Sequence, residues 1–110
     1  MKYYLITDHT RDGDHEYYDR VAVEASKPLA EWNENWQNFY LAWQFSVQWF
    51  DKEYGDLWSD DRIVSVYETK ELTKEEYEIF NKVTGGLGWS LNEIIDEGKK
   101  HWDEAGLQDT

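Results

Sequence analysis

The chain contains no cysteine, which removes disulfides, thiol nucleophiles and cysteine-based metal sites together and fits a reducing compartment. Basic residues are also scarce: 11 Lys and Arg stand against 24 Asp and Glu, a formal net charge of −13. That balance repels phosphate backbones and anionic lipid headgroups, so direct binding to nucleic acid or to a membrane surface is not expected. Long apolar runs are missing too. The longest uncharged stretch includes Asn35, Gln37, Asn38, Gln44 and Gln48, which argues against a membrane span. The short run after Met1 ends at Asp8, too early for a signal peptide, and a cytoplasmic location is expected.

Aromatic rings are plentiful. Aromatics make up 17% of the 110 residues and include seven tryptophans, a composition unlike that of acidic disordered chains and sufficient for one packed domain over residues 1–110. Fraying is expected only at the C-terminal end, after Ala105. No internal repeat, linker or low-complexity tract is visible.

Residues 3–7 and 17–24 read as a hairpin with Asp12-Gly13 as the two-residue turn, which would set Tyr4 opposite Val21 and Ile6 opposite Asp19. Pro28 suits the first turn of a helix. Residues 35–50 carry no charge, and helical spacing places Trp32, Trp36, Phe39, Tyr40, Trp43, Val47 and Phe50 on one face. Leu41, Ala42, Phe45 and Trp49 fall on nearly the opposite face, so this helix, expected to run to Phe50 or Tyr54, needs two partners. A loop over residues 55–61 and a third strand over residues 62–69 follow.

Thr73 with Glu76 forms a capping box for a helix directing Tyr77, Phe80 and Val83 inward, ended by Gly85-Gly86. Ser90 with Glu93 repeats that pattern before a stripe of Leu91, Ile94, Ile95, Gly98 and Trp102, where Gly98 implies close helix contact. The expected fold is α+β, a small antiparallel three-stranded sheet in the order β-β-α-β-α-α with helices packed on one face.

Motifs for chemistry are sparse. Residues 8–16 concentrate Asp8, His9, Asp12, Asp14, His15 and Glu16, yet they match no EF-hand or zinc spacing, and a two-residue turn would separate the histidines onto opposite faces. An exposed polar hairpin tip is the simpler reading. Gly85-Gly86-Leu87-Gly88 before Ser90 superficially resembles an anion-binding loop but lacks a P-loop Lys-Ser or Lys-Thr. No serine has a G-x-S-x-G context, and His101 is expected on a polar helix face. Carboxylate pairs for glycoside hydrolysis carry no weight without a cleft. No catalytic residue, metal or cofactor is assigned, and a non-enzymatic protein is expected.

Trp32, Trp36 and Trp43 read as core, whereas Trp49, Trp58 and Trp89 are less constrained. Trp49, with Phe45 and Leu41, is the candidate intermolecular surface. The acids fall into three groups: Asp8, Asp12, Asp14, Glu16 and Asp19; Asp51, Glu53, Asp56, Asp60 and Asp61; and Glu93, Asp96, Glu97, Asp103 and Glu104. Two groups adjoining in space would make a negative strip that fits a positively charged groove, as nucleic acid does. The expected partner is therefore a basic protein, such as a nucleic-acid-processing enzyme, docked through Trp49, Phe45, Leu41, Asp12, Asp14, Glu16, Asp56, Asp60 and Asp61. In composition only, with no residue motif behind it, the chain resembles small acidic inhibitors that phages use against nucleic-acid-processing defence systems. The alternative is a nucleotide- or sugar-binding domain whose aromatics enclose a pocket with Arg11, Arg20 or Arg62, within one chain or at a homodimer interface.

Overall fold

The computed structural model describes residues 1–51, 53–84 and 88–107. Five strands form one antiparallel sheet: β1 (Lys2–Asp12), β2 (His15–Ala25), β3 (Trp49–Asp51), β4 (Asp56–Ser59) and β5 (Arg62–Leu72), in the spatial order β2-β1-β5-β4-β3. A 3-10 turn covers Leu29–Glu31, and three α-helices follow: α1 (Trp36–Gln44), α2 (Lys74–Thr84) and α3 (Leu91–Glu104). The class is α+β as expected, but the sheet has five strands rather than three.

The two extra strands come from the last part of the segment read as helix and from the segment read as loop. α1 stops at Gln44, where Phe45 turns extended. Beyond it Phe45, Val47 and Trp49 alternate along the chain with the polar Ser46 and Gln48, and within β3 the neighbours Trp49 and Phe50 take opposite sides of the sheet, Trp49 exposed and Phe50 half-buried. A period-2 signal was thus concealed inside an uncharged run that also fits a helix. β4 occupies the expected loop, pairing Trp49 with Trp58 and Leu57 with Val64.

The hairpin forms with its turn one residue later than Asp12-Gly13, so that Tyr4 lies opposite Val23 and Ile6 opposite Val21. Gly13 has φ +61° and Asp14 keeps a negative φ, the signs of a II′ turn, which takes glycine at its first central position. The pairing shifts by two residues, so each side chain keeps its expected face.

One face of the sheet presents Tyr4, Ile6, Val23, Ala25, Leu57 and Val64 to α1 and α3, forming the main core with Trp36, Phe39, Tyr40, Leu41, Ile94 and Trp102. Gly98 is buried in α3, and a Cβ there would collide with the Phe39 carbonyl oxygen, so only glycine permits this approach of α1 and α3. The expected stripe of α3 is the buried one: Leu91, Ile94, Gly98 and Trp102 face inward with Ile95 half-buried.

Helices do not all share that face. α2 packs against the other side, where Tyr77 meets Tyr3 with ring centroids 4.7 Å apart and Phe80 and Ile79 border a groove with Leu5 and Leu72. Thr73 and Glu76 close the capping box: the Glu76 N–H donates to Thr73 Oγ1 at 3.1 Å, and the Thr73 N–H donates to Glu76 Oε1 at 2.9 Å. That bond from the Thr73 backbone holds the Glu76 carboxyl below its usual range. Tyr77 is buried and Phe80 half-buried, but Val83 is 80% exposed. Ser90 caps α3 in position only, its side chain making no capping hydrogen bond; its segment instead bridges to β2, with the Glu24 N–H donating to the Trp89 carbonyl at 3.0 Å. The expected helix end at Gly85-Gly86 and most of the glycine loop fall outside the described residues, as do residues 108–110 of the expected frayed end. Leu107 packs against the core.

Candidate functional site: an open aromatic sheet face

α2 covers only one end of its side of the sheet, over Tyr3, Leu5 and Leu72. The remainder is open. Strand register places its side chains in rows. One row runs from Trp49 through Trp58, Ile63 and Arg11 to Glu16, and the next holds Ser65, His9 and Tyr18. A β-bulge between β1 and β5, where Thr7 pairs with Glu68 and Asp8 with Val66, leaves Tyr67 as the extra residue. Bulges re-aim side chains, and this one brings the Tyr67 ring to the same side as Tyr18, 5.1 Å away and edge-on.

Two aromatic groups therefore stand on the open face. Tyr18, Tyr67 and His9 form one, with His9 5.0 Å from Tyr18 and 6.4 Å from Tyr67. Trp49 and Trp58 form the other, 5.8 Å apart. Exposure reaches 62% for Tyr67, 55% for Trp49 and 44% for Tyr18, so large rings stand open to solvent on this face. Glu16 Oε1 lies 3.2 Å from His9 Nε2, anchoring the ring to the neighbouring strand.

Carboxylates border one end of this face. Because Arg11 pairs with Ile63 and Ser59 with Arg62, the β1–β2 turn and the β4–β5 turn lie at the same end of the sheet. Asp12, Asp14 and Glu16 thus join Asp60 and Asp61, all exposed, in one acidic edge. Asp56 is elsewhere, half-buried at the other end of β4 and opposite Asp51, whose Oδ1 accepts the Glu53 and Tyr54 N–H groups.

The nine residues expected at a partner surface are therefore divided. Trp49 is on the open face; Asp12, Asp14, Glu16, Asp60 and Asp61 are at its acidic end. Leu41 is 3% exposed within the core and Phe45 is half-buried at the end of α1, so the two do not share a surface with Trp49. Sequence reasoning missed Tyr18, Tyr67 and Trp58 as a group. Alternation in β2 and β5 signals which face each occupies, but the bulge that adds Tyr67 depends on strand pairing.

His9 and His15 occupy opposite faces of β1 and β2, and among the described residues no group of three or more His, Asp or Glu side chains could hold a metal ion. Two surface cavities lie away from the open face's aromatics. A cleft of about 230 Å³ between α1 and α3 is lined by Ala42, Trp43, Glu97, Lys100, His101 and Glu104, and the groove beside α2 measures about 370 Å³. Neither includes Arg11, Arg20 or Arg62. Of the other tryptophans, Trp36 is buried; Trp32 is half-buried, its Nε1 donating to the Lys27 carbonyl; and Trp43 meets Trp89 edge-on at 5.1 Å.

Asp8 is the unusual titratable group. It is fully buried on the helix side of β1, where the Tyr40 hydroxyl donates to Oδ2 at 3.1 Å. Burial raises its pKa to about 7, with Asp19 adding to the rise and the Tyr40 and Gln44 hydrogen bonds opposing it. Burial and the neighbouring Asp8 likewise push the Tyr40 hydroxyl well above the ordinary tyrosine range. Both groups belong to the core, and no cleft opens onto them among the cavities described.

No helix among the described residues is long and apolar enough to cross a membrane. Compared with protein-family models, curated proteins and solved structures, the chain matches none.

Proposed function

We propose that this protein is a non-enzymatic binding module that docks the open sheet face and its acidic end onto a basic protein, acting as an inhibitor or adaptor. The observation that carries the reading is one juxtaposition: Trp49, Trp58, Tyr18 and Tyr67 lie on an uncovered face whose end is formed by Asp12, Asp14, Glu16, Asp60 and Asp61. Aromatic anchors beside charge are the usual composition of interface hot spots and their polar rim. Carboxylates of one sign steer encounter with a basic surface and reject acidic ones. The net charge of −13 extends that field over the molecule. A positively charged groove that ordinarily accepts a phosphate backbone offers the complementary chemistry, so the partner class is a nucleic-acid-processing protein.

The test is binding of the purified protein to a panel of basic nucleic-acid-processing enzymes across a salt series. A panel member whose affinity falls with salt, and falls again when Asp12, Asp14, Asp60 and Asp61 are changed to Asn, supports the reading. The reading fails if no member binds at low salt, or if binding is indifferent to those four changes.

A further inference from the structure

The two edges of the sheet differ sharply. β3 exposes an edge of three residues, whereas β2 is eleven residues long. Short edges resist pairing with another chain, and a long uninterrupted edge invites it. β2 has no proline and pairs with β1 without a bulge. Its first six residues stand clear of the helices, since residues 11–20 are all exposed.

Which backbone groups point outward follows from one contact. The Glu24 N–H donates away from β1 to the Trp89 carbonyl. In an antiparallel ladder this orientation alternates, so Glu16, Tyr18, Arg20 and Ala22 also direct their N–H and C=O outward. Beyond Glu24, no backbone partner occupies that side of β2 among the described residues.

The geometry points to this edge as a homodimer interface, in which β2 pairs antiparallel with β2 of a second copy about a two-fold axis at Tyr18. In that register Tyr18 faces its own copy as a hydrogen-bonded pair, and the outward groups of Glu16 meet those of Arg20 in the second copy. Charge complementarity selects the register. Glu16 and Arg20 share the open face, so the two-fold creates two opposite-charge pairs directly across the strands. An axis at Asp19 would set Asp19 against itself, and an axis at Arg20 would set Glu16 against Glu24, whose outward N–H is already engaged. A two-fold contact of this kind is self-complementary and closed, so it stops at two copies. The two open faces would join into one continuous ten-stranded surface, doubling the aromatic area. The net charge of −13 on each copy opposes association through the long-range field, which salt screens. Dimerisation is therefore stronger at high salt, opposite to the docking of a basic partner, and the two claims fail independently.

Sedimentation velocity over a concentration series, at low and high salt, reads the dimer. Arg20→Glu and Glu16→Arg each place like charges opposite one another at both symmetric positions and weaken dimerisation by about tenfold or more, and the double exchange restores it. Directly opposed residues of a hydrogen-bonded pair have Cα atoms about 5.5 Å apart, within disulfide reach. Since the chain has no cysteine, Tyr18→Cys cross-links only to its own copy on mild oxidation, and faster than Asp19→Cys. A wild-type protein that stays monomeric throughout overturns the proposal. So does a dimer unaffected by the single charge reversals, or one that cross-links faster through position 19 than through position 18.

Discussion

Asp8 occupies the middle of β1 with no exposed surface and a carboxyl whose pKa is raised to about 7. An unfolded aspartate titrates near 3.9, so between these values the folded state binds more protons than the unfolded one. Stability is greatest below about pH 4 as far as this group is concerned, and is lost as pH rises toward 7. Asp8→Asn retains an acceptor for the Tyr40 hydroxyl and removes the titration. The variant should gain on the wild type as pH rises from 4 to 8, by up to about 4 kcal/mol at about 1.4 kcal/mol per pKa unit. Urea denaturation of both proteins at the two pH values measures this; a difference independent of pH would refute it. Gly98 makes an equally local demand, because the Phe39 carbonyl fills the space of a side chain. Gly98→Ala should cost about 3 kcal/mol or more by forcing α1 from α3, read as a lower denaturation midpoint.

Elements were legible where local chemistry decided them. The Thr73–Glu76 box closes as its spacing implies, and Thr73→Ala should destabilise the protein by about 1 kcal/mol, measured by denaturation. The α3 stripe and its glycine were readable because helical periodicity and burial agree. The centre of the chain was not. Residues 45–50 satisfy helical and strand patterns alike, and only pairing of Trp49 with Trp58 decides for the strand. The turn at Asp60-Asp61 lacks the glycine that would announce it; Asp60 takes φ +56° instead. Aspartate tolerates that conformation, whereas Asp60→Val should cost about 1–2 kcal/mol through backbone strain, again read from the denaturation midpoint. Ser90 shows the opposite failure: a capping spacing was present, but its segment was drawn to Glu24.

At the scale of the molecule, the acids gain meaning from strand order. The sequence separates Asp12 and Asp14 from Asp60 and Asp61 by more than forty residues, and the return of β5 beside β1 brings their turns to one end. Strand order also replaces the expected aromatic helix face by a sheet face, keeping Trp49 and substituting Trp58, Tyr18 and Tyr67 for Leu41 and Phe45. The most direct measurement of this account is the affinity of a basic partner for Trp49→Ser/Tyr67→Ser, set beside that for Trp43→Ser in the cleft between α1 and α3. A loss of at least about tenfold, near 1.4 kcal/mol, is expected for the open-face pair and little change for the cleft variant, with both proteins folded. Equal affinity of the open-face variant and the wild type, or a loss confined to the cleft variant, would contradict it.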